Sequence, residues 1–225
     1  MAVQEPIAKR WERPTGCHLA EAYGLSETSP GLTASPLDGR HRIGYIGVPI
    51  PSTDIYIADD AGNPVPIGER GELLAKGPQV MRHYWNLEEK NAEVFHEGWF
   101  KTGDVAIMTE DGFFKIVDRK KEMILVSGFN VYPSEVEAAI MEHEKVNEVG
   151  VIGIPSAKSG EVVKAVVVIK DNSLTAEELI AFCRERLAGY KVPKAVEFRD
   201  DLPKSNVGKI LRRKLKDTGE ATPSA

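Results

Sequence analysis

Short apolar runs separated by polar, turn-forming residues mark the first half of the chain. Thr53-Asp-Ile-Tyr-Ile-Ala and Gly71-Glu-Leu-Leu-Ala-Lys read as strands, and between them Asp59-Asp-Ala-Gly-Asn-Pro has the residue types of a reversing turn. A second pair, Val105-Ala-Ile-Met and Phe113-Phe-Lys-Ile-Val, brackets the tight polar turn Thr109-Glu-Asp-Gly. Residues 43–117 are therefore expected to form an antiparallel, barrel-like β unit, interrupted by one short helix near Leu87–Val94. The stretch before them is polar and turn-rich, with Gly, Ser, Thr and Pro crowded between Gly24 and Pro36, and reads as a loop-bearing segment.

After Val117 the pattern changes. Asp118-Arg-Lys-Lys-Glu packs five charges ahead of the apolar Met123-Ile-Leu-Val, as a linker would. Pro133 suits the first position of a helix whose Val136, Ala139 and Ile140 share a face. Val146–Ile154 and Val162–Ile169 are β-branched strands, and the capping pair Thr175/Glu178 opens a helix lined by Leu179, Ile180, Cys183 and Leu187. Gly189 and Pro193 stop that helix. No glycine-rich turn follows a strand, so the order predicts a small α+β domain rather than a dinucleotide fold. The expected division is 1–117, a hinge at 118–121, a second domain at 122–216 and a frayed tail at 217–225.

Composition narrows the functional classes. With 225 residues, 42% hydrophobic, 28% charged and a net charge of -5, the chain has room for two small cores and no general attraction to nucleic acid. No run of 18 apolar residues is present, and the two cysteines, Cys17 and Cys183, form no CxxC motif. The expectation is a cytoplasmic protein. His18, His41, His83, His96 and His143 lack ligand spacing and are not expected to bind metal or act in catalysis. Trp85, Trp99, Phe113 and Phe114 are expected to pack in the core or hairpins, and Ser159-Gly-Glu to be a loop.

Four segments could carry chemistry. Tyr23-Gly-Leu-Ser-Glu-Thr sets a ring, a flexible glycine, a hydroxyl and a carboxylate within a few residues, a set able to meet a base, a phosphate and a hard cation; a polar loop uses the same residues. Trp99-Phe-Lys-Thr-Gly-Asp places Asp104 at a strand start, where it could accept from vicinal hydroxyls or simply form a turn. Asp118 to Pro133 is a charged junction followed by Ser127-Gly-Phe. Pro203-Lys-Ser-Asn-Val-Gly-Lys-Ile-Leu-Arg-Arg-Lys strings cations around Gly208, suited to an anion or to a basic helix end.

In order and spacing, Tyr23-Gly-Leu-Ser-Glu, Gly71-Glu-Leu, Lys101-Thr-Gly-Asp, Asp118-Arg-Lys-Lys, Ser127-Gly-Phe-Asn and Pro203-Lys-Ser-Asn-Val-Gly-Lys resemble the C-terminal half of adenylate-forming enzymes, from about Trp11 to Leu215. Met123-Ile-Leu-Val-Ser-Gly-Phe-Asn-Val-Tyr-Pro and Gly189-Tyr-Lys-Val-Pro-Lys are most similar to bacterial long-chain fatty-acid:CoA ligases. The resemblance implies an α+β fold, an antiparallel β-barrel-like subdomain followed by the small α+β C-terminal domain of that superfamily. It also implies ATP-dependent conversion of a fatty acid to acyl-AMP and transfer to CoA, with ATP/AMP, Mg²⁺ and CoA as ligands.

In that frame Tyr23 stacks on adenine beside Gly24, Ser26 meets phosphate, and Glu27 ligates Mg²⁺ and serves catalysis. Asp104 and Arg119 hold the ribose, Lys121 is the hinge, Gly128 lines the pantetheine channel, and Lys209 bridges carboxylate and α-phosphate. No glycine- and Ser/Thr-rich phosphate loop ending in Pro-Lys-Gly precedes Tyr23, so the missing N-terminal region of the same enzyme is an expected partner and activity of this chain alone is not expected. A non-catalytic truncated domain binding AMP or CoA and an adenylation domain for another acid are the alternatives. A homodimer and peripheral association of the parent enzyme with the inner membrane stay open.

Overall fold

The structure, a computed structural model, describes residues 5–206 and 208–216, with side chains from residue 8 onward. The expected tail at 217–225 lies outside the described residues. The chain divides into two compact units, 1–120 and 121–225. No described helix is long and apolar enough to cross a membrane.

The first unit opens with a helix that its polar sequence does not announce, α1 (Glu5–Thr15). Gly16, at φ 64°, accepts the left-handed turn that ends it. A three-stranded antiparallel sheet follows, formed by β1 (Ala22–Gly24), β2 (Gly31–Ala34) and β3 (Val48–Pro49) in that order. Tyr23 therefore lies in a strand rather than in the expected loop. Gly24 must be glycine here, since a Cβ would fall 1.6 Å from the Pro30 carbonyl oxygen.

The second sheet contains β4 (Asp54–Ala58), β5 (Gly71–Lys76), α2 (Glu88–Val94) in a connection, β6 (Phe95–His96), β7 (Trp99–Met108) and β8 (Phe114–Arg119). Its order is β4-β5-β7-β6 with β8 also on β7, all antiparallel, curled like half a barrel. Both expected hairpin pairs are present. Leu32, Ile57, Leu73, Ala75, Ala106 and Phe114 form the core. Phe113 and Phe114 are buried and Trp99 packs edge-on against Tyr56 at 4.7 Å, but Trp85 is 81% exposed, against expectation.

The second unit is one five-stranded sheet with helices. It contains β9 (Ile124–Val126), β10 (Phe129–Val131), α3 (Pro133–Met141), β11 (Val146–Ser156), β12 (Gly160–Ile169), α4 (Ala176–Arg184), β13 (Ala195–Phe198) and α5 (Arg212–Lys216). Strand order is β10-β9-β12-β11 with β13 parallel to β12. Pro133 sits in the first turn of α3, and Val136 and Ile140, one turn apart, are fully buried. Thr175 Oγ1 accepts from Glu178 N at 3.2 Å and caps α4, whose Leu179 and Cys183 face the same core.

Candidate nucleotide and acyl-transfer sites

In the first unit the expected nucleotide residues come together from three distant segments. Gly103, at φ 72°, breaks the regular pleat within β7, so Asp104 is a mid-strand residue rather than the strand start expected from sequence. Its carboxylate is 4% exposed, accepts from the Tyr23 hydroxyl at 2.6 Å and pairs with Arg119 Nε at 3.2 Å. Burial, then the Asp104 charge, push the Tyr23 phenol well above its ordinary range, so it remains a donor. The Tyr23 ring packs against the apolar core, while Arg119 is 45% exposed. An ionised carboxylate has about four acceptor positions. The contacts to Tyr23 and Arg119 use one position on each oxygen.

Glu27 lies in the tight turn Ser26–Thr28, anchored by Thr28 Oγ1 donating to the Leu25 carbonyl at 3.0 Å. Ser26 is exposed beside it. Glu27 Oε1 accepts from the Tyr84 hydroxyl at 2.6 Å, and the Met81 amide donates to the Glu27 carbonyl at 2.7 Å. The Glu27 hydrogen bond, with burial, pushes the Tyr84 phenol up to about 12. A carboxylate fixed through one oxygen can offer the other to a hard cation, so the residues fit Mg²⁺.

Sequence reasoning missed Tyr84, and it quoted Gly71-Glu-Leu without giving Glu72 a role. Glu72 is 6% exposed; its Oε1 accepts from the Gly103 amide at 3.1 Å and its Oε2 from Lys120 Nζ at 2.9 Å. One buried carboxylate therefore braces the neighbours of both Asp104 and Arg119. The separations of 31 and 48 residues leave no local sequence signal.

In the second unit Ser127 (φ 50°) and Gly128 (φ 84°) form a two-residue turn between β9 and β10, with both φ values positive as a type I′ hairpin requires. Gly128 is exposed at the tip, and an added Cβ would meet nothing within 4 Å, so it is the backbone turn that calls for glycine. Lys121 is exposed at the start of this unit.

Lys209 is exposed in a second turn, closed by the Lys204–Ile210 bridge, by Ser205 N donating to the Lys209 carbonyl at 2.8 Å and by Lys209 N donating to Ser205 Oγ at 3.1 Å. Just beyond it, Arg212 Nε and Nη2 grip Glu137 at 2.8 and 2.6 Å, Nη1 meets Glu122 at 2.5 Å, and Nη2 also reaches Ser134 Oγ at 2.8 Å. This guanidinium ties the lysine turn to α3 and to the start of the unit.

Residues 1–85 match the AMP-binding enzyme family and residues 135–209 the AMP-binding enzyme C-terminal domain. A long-chain-fatty-acid–CoA ligase of Yersinia pestis is 58% identical over 217 residues, 96% of this chain and 39% of that protein. One of Bacillus subtilis is 50% identical, over 95% and 39%. Among solved structures, ATP-bound MatB from Rhodopseudomonas palustris is 36% identical with a TM-score of 0.89, covering 95% of this chain and 43% of that one. The o-succinylbenzoate CoA synthetase of Bacillus subtilis with its acyl-adenylate is 35% identical with a TM-score of 0.84, covering 99% and 46%. The chain spans about two fifths of the length of the curated relatives it matches. By these matches the chain belongs to the AMP-binding enzyme family, as a C-terminal portion whose similar curated proteins include long-chain-fatty-acid–CoA ligases.

Proposed function

We propose that this chain is the C-terminal part of an enzyme that joins a long-chain fatty acid to AMP and then passes the acyl group to CoA. The observation that carries this reading is the 58% identity to a long-chain-fatty-acid–CoA ligase along 96% of the chain. The clustering of Tyr23, Asp104 and Arg119 supports it, because it supplies a ring and a buried carboxylate suited to a nucleoside.

In this mechanism Tyr23 and Gly24 border the adenine, Asp104 and Arg119 hold the ribose hydroxyls, and Ser26 donates to phosphate. Glu27, oriented by Tyr84, would hold Mg²⁺, which offsets the charge of the triphosphate when bound. Lys209 supplies a positive charge between the fatty-acid carboxylate and the α-phosphate, reducing the repulsion between two anions as the P–O bond forms and pyrophosphate leaves. Lys121 is the pivot by which the second unit exchanges the Lys209 turn for the Gly128 turn. The CoA sulfur then attacks the acyl carbonyl and AMP departs. The exposed backbone at Gly128 leaves room for the pantetheine arm. The 118–121 hinge and the 122–216 mobile domain belong to the same proposal.

The test fuses this chain behind the N-terminal portion of the Yersinia pestis relative and measures acyl-CoA formation from oleate, octanoate and an aromatic acid. Oleate should be turned over fastest. A folded fusion that forms no oleoyl-CoA would refute this reading.

A further inference from the structure

We infer that Glu12, His18 and His41 form a binding site for a divalent transition-metal ion, separate from the nucleotide residues. One ligand atom from each of the three lies within 4.8 Å of the others. The fold assembles them by two turns. Glu12 sits one helical turn after the fully buried Ala8, so it projects from the inward-facing side of α1. Gly16 donates to the Glu12 carbonyl at 2.8 Å and reverses the chain, which returns His18 Nδ1 to 3.2 Å from Glu12 Oε1. His41 arrives from the connection between β2 and β3, with Nε2 4.0 Å from the same oxygen. The two rings lie 3.9 Å apart between centroids. Sequence separations of 6 and 29 residues from Glu12 explain why ligand spacing was not visible along the chain.

Two imidazoles and one carboxylate are the donor set of zinc and related borderline ions, not of Mg²⁺ or Ca²⁺, which prefer oxygen throughout. Donor atoms around a tetrahedral zinc lie roughly 3.4 Å apart at bonds of about 2.1 Å. The present spacings are close to that, and His18, 67% exposed, is free to make the adjustment. Three protein ligands leave a fourth position for water or an anion. A bound ion would fasten α1 to the segment leading into β1, and so to Tyr23.

Metal-stripped chain titrated with zinc chloride in excess magnesium chloride, read by calorimetry, should bind about one equivalent. His18→Asn, His41→Ala and Glu12→Gln should each weaken binding more than about tenfold, since even outer-shell partners act on that scale. His18→Asn changes an exposed residue, and melting of the metal-free variants separates lost folding from lost ligands. Cobalt substituted for zinc should give a visible ligand-field spectrum that the same variants abolish. Absence of zinc binding, or binding by the His18 and His41 variants as tight as by the unchanged chain, overturns the assignment.

Discussion

Replacing Arg212 with alanine should loosen the turn that carries Lys209 and destabilise the second unit. Its side chain is 13% exposed, and its main partner, Glu137, is 16% exposed, so the pair is largely shielded from water. Removing one member of a fully buried pair costs about 3–5 kcal/mol. Glu122 is 30% exposed and water can replace the guanidinium there, while Glu137 Oε1 keeps the Val151 amide at 2.9 Å. Those two facts lower the expected cost to about 2–3 kcal/mol. For a unit of this size that corresponds to a fall in melting temperature of about 10–20 °C.

Thermal unfolding followed by circular dichroism measures the cost. Hydrogen exchange of the peptide spanning 203–216, compared with one from β12, locates it. Arg212→Lys should fall between, because an ammonium cannot make the two-pronged contact. A melting change below about 2 °C with unaltered exchange at 203–216 would show that the guanidinium does not anchor the turn.

Three further outcomes follow from the geometry. Lys164 is 2% exposed and pairs with Glu197 at 2.6 Å, so Glu197→Gln should cost about 1–3 kcal/mol in urea unfolding, and adding Lys164→Met should recover most of it. Arg199, then Lys164, hold Glu197 below the usual carboxylate range, so its contribution is present above about pH 4.5 and lost as pH falls through the native value; the variant should show a shallower acid limb. Glu72→Gln should raise the KM for ATP of the fused enzyme several-fold, with little change in the KM for CoA, because it loosens Gly103 and Lys120 beside Asp104 and Arg119, the proposed ribose contacts; equal effects on both would contradict a local role. Cys17 is exposed, whereas the Cys183 thiol is fully buried and pushed up to about 11 by burial. A disulfide reagent at pH 8 should therefore modify one thiol quickly and the second only after unfolding, and fast modification of both would rule out a closed core around Cys183.

Local signals carried much of the fold. The short apolar runs at 53–58 and 71–76 on either side of a turn, Pro133 ahead of Val136 and Ile140, and Thr175 ahead of Leu179 each needs only neighbours to act, and each appears where its pattern stands. α1 escaped because Pro6 and Pro14 fall within it and break the helical signal. β10 is three residues long, too short for periodicity, and is held by pairing with β9. The candidate sites divide the same way. Gly128 and Lys209 sit in turns that glycine and serine make locally, whereas Tyr84 on Glu27, Glu72 under Gly103 and Glu122 on Arg212 join residues 57, 31 and 90 positions apart. Tertiary folding alone makes those contacts. The two-histidine cluster belongs with them.

The most direct test separates the two half-reactions in the fused enzyme. Lys209→Ala should abolish oleate-dependent pyrophosphate release from ATP while leaving oleoyl transfer from preformed oleoyl-adenylate to CoA within about twofold of the unmodified fusion. Retained pyrophosphate release, or equal loss of both half-reactions, would contradict the assignment of this chain's lysine turn to the adenylation step.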